Sequence, residues 1–239
     1  MKRIIAGLLV LFAGFASIAA SGNWLATVER TPVSHIVGNP EASVTLTEYL
    51  SYTCPHCRDF AVQGEEILKL GYVQKGELRI EYRHVAANPV DLTAAMLARC
   101  GDADKFPGNH SALMMAQPQF NALRRMAVKS QTDRWYNGDK AARRRAVASD
   151  LHLYEIFERR GYTRPQLDQC LADQDLANAI EAAADIDYEV MGVQYTPSFA
   201  VNGTLLDEVH DWQTLQTALA APLPGQTPAE EAGAPTPSE

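Results

Sequence analysis

The chain has 239 residues, of which 46% are apolar and 21% charged, and its formal net charge is −8. That balance belongs to a folded protein with a sizeable core. The acidity excludes a nucleic-acid binder, because phosphate contacts need a basic face. The short basic clusters Arg124-Arg125, Arg143-Arg144-Arg145 and Arg159-Arg160 sit among helix-forming residues and are expected on solvated helix faces.

Lys2 and Arg3 precede an almost wholly apolar run from Ile4 to Ala20, with small residues at Ser17, Ala19 and Ser21. The pattern predicts a secretory signal over residues 1–21, cleaved after Ala19 or Ser21. An uncleaved anchor is the alternative, since the run approaches the ~17–25 residues that span a bilayer. Either way the folded part is expected outside the cytoplasm. A turn at Gly38-Asn39-Pro40 leads into Val44 to Leu50, whose β-branched and aromatic mix predicts a strand. Pro55 suits a first helical position, where its missing N–H is no loss. Cys57, Phe60, Ala61, Ile67 and Leu68 follow at helical spacing, which predicts a helix to about Leu70. Within residues 77–85, Leu78, Ile80 and Tyr82 alternate with charged neighbours and predict a second strand.

From Asp91 to about Met191 the pattern is helical. Asp91 is placed to cap the first of these helices, and Thr163 and Gln166 frame a capping box around Pro165. Leu176, Ile180, Ala183 and Ala184 continue a helical stripe that stops at Gly192, a suitable C-terminal cap. Asn202-Gly203 is a hairpin signal between two short extended pieces, and Asp211 to Ala220 predicts a closing helix. Residues 222–239 have little to bury and read as a disordered tail. The order is βαβ, a helical block, then ββα.

The chemistry concentrates in YTCPHCRDF, residues 52–60. Haem attachment requires a histidine directly after the second cysteine, where Arg58 stands. Structural zinc requires four ligands, but Cys100 and Cys170 are single and the histidines show no tight pairing. A purely structural bridge across two residues would close a tiny loop and constrain little. Redox exchange fits better. The attacking species is a thiolate, and a helix N-terminus offers it free N–H donors and partial positive charge. Cys54 is therefore the expected nucleophile and Cys57 the shielded resolving thiol, with His56 placed to stabilise the thiolate. No metal or cofactor is expected.

The Cys54-Pro55-His56-Cys57 motif resembles that of the DsbA-like thiol:disulfide oxidoreductases, and GVQYTPSFAVNG supplies a second landmark. In that family a cis-proline faces the active cysteines, and Thr196-Pro197 occupies the matching place. The resemblance covers about residues 33–221. It implies an α/β, thioredoxin-like fold over residues 22–89 and 187–221, with an inserted all-helical domain over residues 90–186. It further implies a buried carboxylate at Glu48, passing protons to and from Cys57, and substrate binding at Pro55, Thr196 and Pro197. Some members carry a second, structural disulfide in the helical domain, which here would join Cys100 and Cys170.

The activity so implied is that of a periplasmic, monomeric oxidase. It would donate the Cys54–Cys57 disulfide to reduced, unfolded exported proteins and be reoxidised by a DsbB-like, quinone-linked membrane partner. An envelope reductase or isomerase is the alternative, since threonine before the cis-proline also occurs in isomerase-type members. Isomerases of the DsbC type, however, carry a dimerisation domain for which the residues ahead of the fold are too few. A chaperone or binding module without redox function is the reading from a different class.

Overall fold

The computed structural model describes residues 22–221, and the signal expected over 1–21 and the tail expected over 222–239 lie outside the described residues. Its strands are β1 (Val28–Arg30), β2 (Ser34–Val37), β3 (Val44–Leu50), β4 (Leu78–His84), β5 (Ser198–Val201) and β6 (Thr204–Leu205). They form a six-stranded sheet in the order β1-β2-β4-β3-β5-β6. Only β3 and β4 pair in parallel, and the connection between them is helical. The register places His35, Tyr82, Glu48 and Phe199 side by side across four neighbouring strands. One carboxyl therefore lies on a face otherwise occupied by Leu46, Leu50, Ile80 and Val201, all buried.

That face is covered by the run from Pro55 to Val73. It is α-helical at Pro55–Phe60 (α1) and Glu66–Leu68 (α2), with wider π turns at Ala61–Glu65 and Lys69–Val73. Phe60 packs edge-on against Phe199 of β5 at 4.8 Å. Gly64 lies directly under the Trp212 ring, which a Cβ at that position would approach to 2.7 Å. Glycine thereby lets the last helix, α10 (Trp212–Ala220), seat on the π turn.

Between β4 and β5 come α3 (Pro89–Ala98), α4 (Phe106–Met126), α5 (Lys129–Tyr136), α6 (Lys140–Asp150), α7 (Leu153–Glu158), α8 (Arg164–Ala172) and α9 (Gln174–Glu189). Almost every residue of α3 is buried, so this helix is the hydrophobic centre of the helical segment and joins its core to that of the sheet. The other sheet face is small. Tyr49 and Ala200 pack there with Val193, and Arg83 of β4 forms an ion pair with Asp187 of α9 at 2.9 Å.

Several features depart from the sequence reading. Strands β1 and β2 were not anticipated, because Pro32, Thr31 and Ser34 break the alternation; Thr31 Oγ1 accepts the N–H groups of Val33 and Ser34 and turns one strand into the other. Asp91 does not cap α3. Asn88 does, accepting from the N–H groups of Val90 and Asp91, because Pro89 takes the first helical position. Arg144 is not on a solvated face. It is buried, and its Nε donates to the carbonyl of Leu171 at 2.6 Å, satisfying an end of α8 that has no further helical turn.

Cys100, just after α3, is bonded to Cys170 on α8, across a sequence separation of 70. Closing a loop of that size contributes about 4 kcal/mol at most in the chain-entropy picture. The paired Cys100→Ala/Cys170→Ala protein is accordingly expected to unfold in urea with a stability lower by about 2–4 kcal/mol. An unchanged midpoint would show that the bridge constrains nothing.

Candidate active site

Cys54 is the N-cap of α1 and half-buried, whereas Cys57, one turn inward, is 0% exposed. Both are free thiols. The sulfur of Cys54 lies 3.1 Å from the carbonyl oxygen of Thr196, to which the thiol donates, and the Thr196-Pro197 peptide is cis. The sulfur of Cys57 accepts the N–H of Ser51 at 3.4 Å, from the turn just after β3. Pro197 is buried and Thr196 half-buried.

The two thiols are driven apart in acidity. A hydrogen bond from Cys57 is the largest influence on Cys54; with the Thr196 side chain and the backbone N–H groups of Cys57 and His56 it outweighs burial and lowers Cys54 from 9.0 to about 5. Burial, reinforced by Cys54 and by the charge of Glu48, pushes the Cys57 thiol well above its ordinary value. His56 acts here through its main chain. Its ring is exposed and makes no hydrogen bond among the described residues. Pro55 is exposed beside it.

Glu48 is 1% exposed, and its Oε1 has no hydrogen-bond partner. Burial, together with the nearby charge of Glu65, raises its pKa well above the ordinary carboxylate value. Glu65 goes the other way. Burial opposes its ionisation, but His110 and Lys69 hold it below the usual range. Its oxygens are fully engaged: Lys69 Nζ at 2.8 Å, Tyr82 O–H donating at 2.6 Å, and His110 Nε2 at 3.3 Å. His110 Nδ1 in turn lies 3.0 Å from the hydroxyl of Tyr52, the residue two before Cys54. A buried carboxyl whose pKa is raised thus sits under the thiols, beside a second buried carboxyl whose pKa is lowered and which is linked to the active-site turn.

The sequence reading did not place Glu65, Lys69, His110, Gln117 or Asn121 in the site, and it read Tyr82 only as a strand residue. Gln117 Nε2 donates to the carbonyl of Cys54 at 2.8 Å, and Asn121 Nδ2 to that of Thr53 at 3.2 Å. They are four apart on α4 and so share a face, a spacing that could have marked them. His210 also escaped notice. Its Nδ1 lies 2.9 Å from the Pro197 carbonyl oxygen and 3.3 Å from Ser198 Oγ, buttressing the proline loop from behind. Among the described residues no group of three or more His, Cys, Asp or Glu side chains could hold a metal ion.

A dithiol at the start of a helix, facing a cis-proline loop across a mixed sheet, defines a thioredoxin-like fold. A family model described as thioredoxin matches residues 30–221, and the chain belongs to that family. A crystal structure of a protein-disulfide isomerase from Novosphingobium aromaticivorans is similar at a TM-score of 0.75 and 38% identity, covering 78% of this chain and 95% of that one. Wolbachia pipientis alpha-DsbA1 shares the fold at a TM-score of 0.63 and 19% identity, over 80% of this chain and 91% of that one. A Rickettsia conorii protein with the provisional name protein-disulfide oxidoreductase is 29% identical over 194 residues, which are 80% of this chain and 61% of that protein. A Rickettsia typhi protein of similar name is 28% identical over 70% of this chain and 54% of its own length. The chain therefore spans less than two thirds of the length of these curated relatives.

The depressed Cys54 pKa has a definite linkage. A thiolate favoured by the fold stabilises the reduced protein most above the free-thiol pKa of 9.0, and that stabilisation is lost as pH falls through about 5. Thiolate absorbance should titrate with a midpoint near 5. The stability of the reduced protein relative to the oxidised should shrink over the same interval. A midpoint close to that of a free thiol would contradict the arrangement described.

Proposed function

We propose that this protein is a thiol:disulfide oxidoreductase working as an oxidase, which passes a Cys54–Cys57 disulfide to reduced proteins outside the cytoplasm. The single observation that carries the reading is the opposed acidity of the two thiols, with Cys54 lowered to about 5 and Cys57 raised. A stabilised thiolate favours the reduced pair, and that makes the oxidised pair a strong oxidant. In each cycle a client thiolate attacks the sulfur of Cys54 and breaks the Cys54–Cys57 bond. The two electrons of that bond depart on Cys57, which takes a proton; Glu48, the adjacent buried carboxyl with a raised pKa, is the group suited to supply it. A second client thiolate then attacks the client sulfur of the mixed disulfide. The client leaves oxidised, and Cys54 leaves as a thiolate. The enzyme returns to its starting state by giving both electrons to a disulfide-bearing or quinone-linked membrane partner of the DsbB type.

Clients would dock around Thr196. Beside it lies a groove of about 390 Å³ lined by Val85, Ala86, Tyr188, Val193 and Tyr195. Tyr188 and Tyr195 are both more than half exposed. Amphipathic, aromatic walls of this kind suit varied unfolded segments rather than one sequence. Placement outside the cytoplasm is supported by the Cys100–Cys170 bond, since such bonds persist in oxidising compartments. Among the described residues no helix is long and apolar enough to cross a membrane.

Isomerisation is the second reading, supported by the protein-disulfide isomerase from Novosphingobium aromaticivorans that this chain resembles. Oxidative refolding of a reduced, multi-cysteine client separates the two. The oxidase reading expects stoichiometric disulfide transfer by the pre-oxidised protein, its loss in Cys54→Ala, and, in Cys57→Ala carrying glutathione as a mixed disulfide on Cys54, displacement of glutathione by a client thiolate that then stays trapped on Cys54. Faster rescue of a scrambled client than oxidation of a reduced one would favour isomerisation. Equal activity of Cys54→Ala and the native chain would discard both.

A further inference from the structure

Asp91 lies in the first turn of α3, is 1% exposed, and faces no cation within ion-pair distance among the described residues. Its two oxygens are divided between different segments of chain. Oδ1 accepts the N–H of Tyr52 at 2.7 Å, two residues before Cys54, and Oδ2 accepts the N–H of Ala87 at 3.0 Å. Ala87 belongs to the short segment after β4 that lines the groove beside Thr196, and Ala86 within it has a φ of 47°, in the left-handed region. A non-glycine residue held there needs restraint from its surroundings. Asn88 adds a parallel tie, donating to Thr53 Oγ1 at 3.0 Å while capping α3.

A buried carboxyl bound only by uncharged donors is costly to keep ionised. Burial raises Asp91 from 3.8 to about 6, the N–H groups of Ala87 and Tyr52 and the Ser51 side chain oppose this, and the charge of Cys54 raises it further. The groups facing Asp91 are thus Ser51, Tyr52 and Cys54 from the active-site turn and Ala87 from the groove wall. Lys140, Arg143, Arg144 and Glu181 line a separate groove beside Pro89 and Thr93, about half a turn around α3 from Asp91. Ion pairing from that side does not fix its charge.

We propose that Asp91 is a positioning residue that ties the active-site turn to the wall of the client groove and slackens when it takes up a proton, more readily while Cys54 carries charge. The reduced form would therefore hold the groove wall less firmly than the oxidised form, which favours release of the oxidised client. This rests on the oxidoreductase reading for its consequence, but not for its tie.

The experiment titrates the side-chain carboxyl carbon of Asp91 by NMR in the full chain, once oxidised and once reduced, between pH 4 and pH 8. The expected result is a higher midpoint in the reduced protein, together with lower protection of the Tyr52 and Ala87 amides against hydrogen exchange, relative to their intrinsic rates, below that midpoint. Identical midpoints in the two redox states would overturn the proposal whatever the turnover. In a folded Asp91→Asn protein, loss of the neighbouring negative charge should move the Cys54 thiolate midpoint to lower pH. Its KM for a reduced client peptide should rise by about threefold to tenfold, with kcat changed far less. A Cys54 midpoint and a KM that both match the native chain would also overturn it. Failure of the exchange activity itself, seen as an inactive native chain, leaves the titration difference measurable and so is told apart from failure of the tie.

Discussion

Cys54 carries its sulfur where the end of β3, the start of α1 and the carbonyl of Thr196 meet, and stabilising negative charge at that atom is the constraint the other groups serve. Three of the influences that lower its pKa come from the motif itself: the Cys57 thiol and the N–H groups of residues 56 and 57. Such donors are present only while the turn from residue 51 to residue 54 keeps one shape. The surrounding structure accordingly spends much of its polar inventory on that turn. Gln117, Asn121, Asn88 and Asp91, all from the helical segment, hold its carbonyls, its amide and the Thr53 hydroxyl. The helical segment is thus more than a lid. It fixes the backbone on which the acidity of Cys54 depends.

Beneath the thiols, two carboxyls share one buried layer with pKa values driven in opposite directions. Glu65 is held as an anion by Lys69 and His110, and its charge adds to burial in raising the pKa of Glu48. Divergent environments of this kind assign roles: the carboxyl with the raised pKa is the one suited to exchange a proton, and burial with the neighbouring anion raises it. Cys57 feels the charge of Glu48 when that group ionises, which explains why a proton between them favours the resolving thiol in its neutral form. The Tyr52–His110–Glu65 chain joins this layer to the turn that bears Cys54. Change of charge at either sulfur is therefore felt through the same set of buried groups.

Much of the fold was legible in the sequence because its central elements carry strong local signals. Strands β3 and β4 alternate, Pro55 opens a helix, and Asn202-Gly203 turns a hairpin in which both residues adopt positive φ. The thioredoxin-like class followed from the motif and from Thr196-Pro197. Strands β1 and β2 were invisible because their stability comes from pairing, β1 with β2 and β2 with β4, not from their own pattern. The site was legible where chemistry lies within one motif, and opaque where it depends on contacts distant in sequence. Asp91 shows the difference well. A short-range rule makes it a helix cap, but Asn88 and Pro89 take that office and free its carboxylate for Tyr52, 39 residues away in sequence. Arg144 and His110 were hidden for the same reason, since burial of a polar side chain is decided by partners that no local spacing reveals.

The central claim is that the site favours the thiolate of Cys54 and so makes the disulfide a strong oxidant. Its most direct test is the reduction potential of the Cys54–Cys57 pair, read from equilibrium with glutathione buffers at pH 7. The account predicts a potential more oxidising than about −180 mV, and a value near about −270 mV, in the range of a reductant, would contradict it.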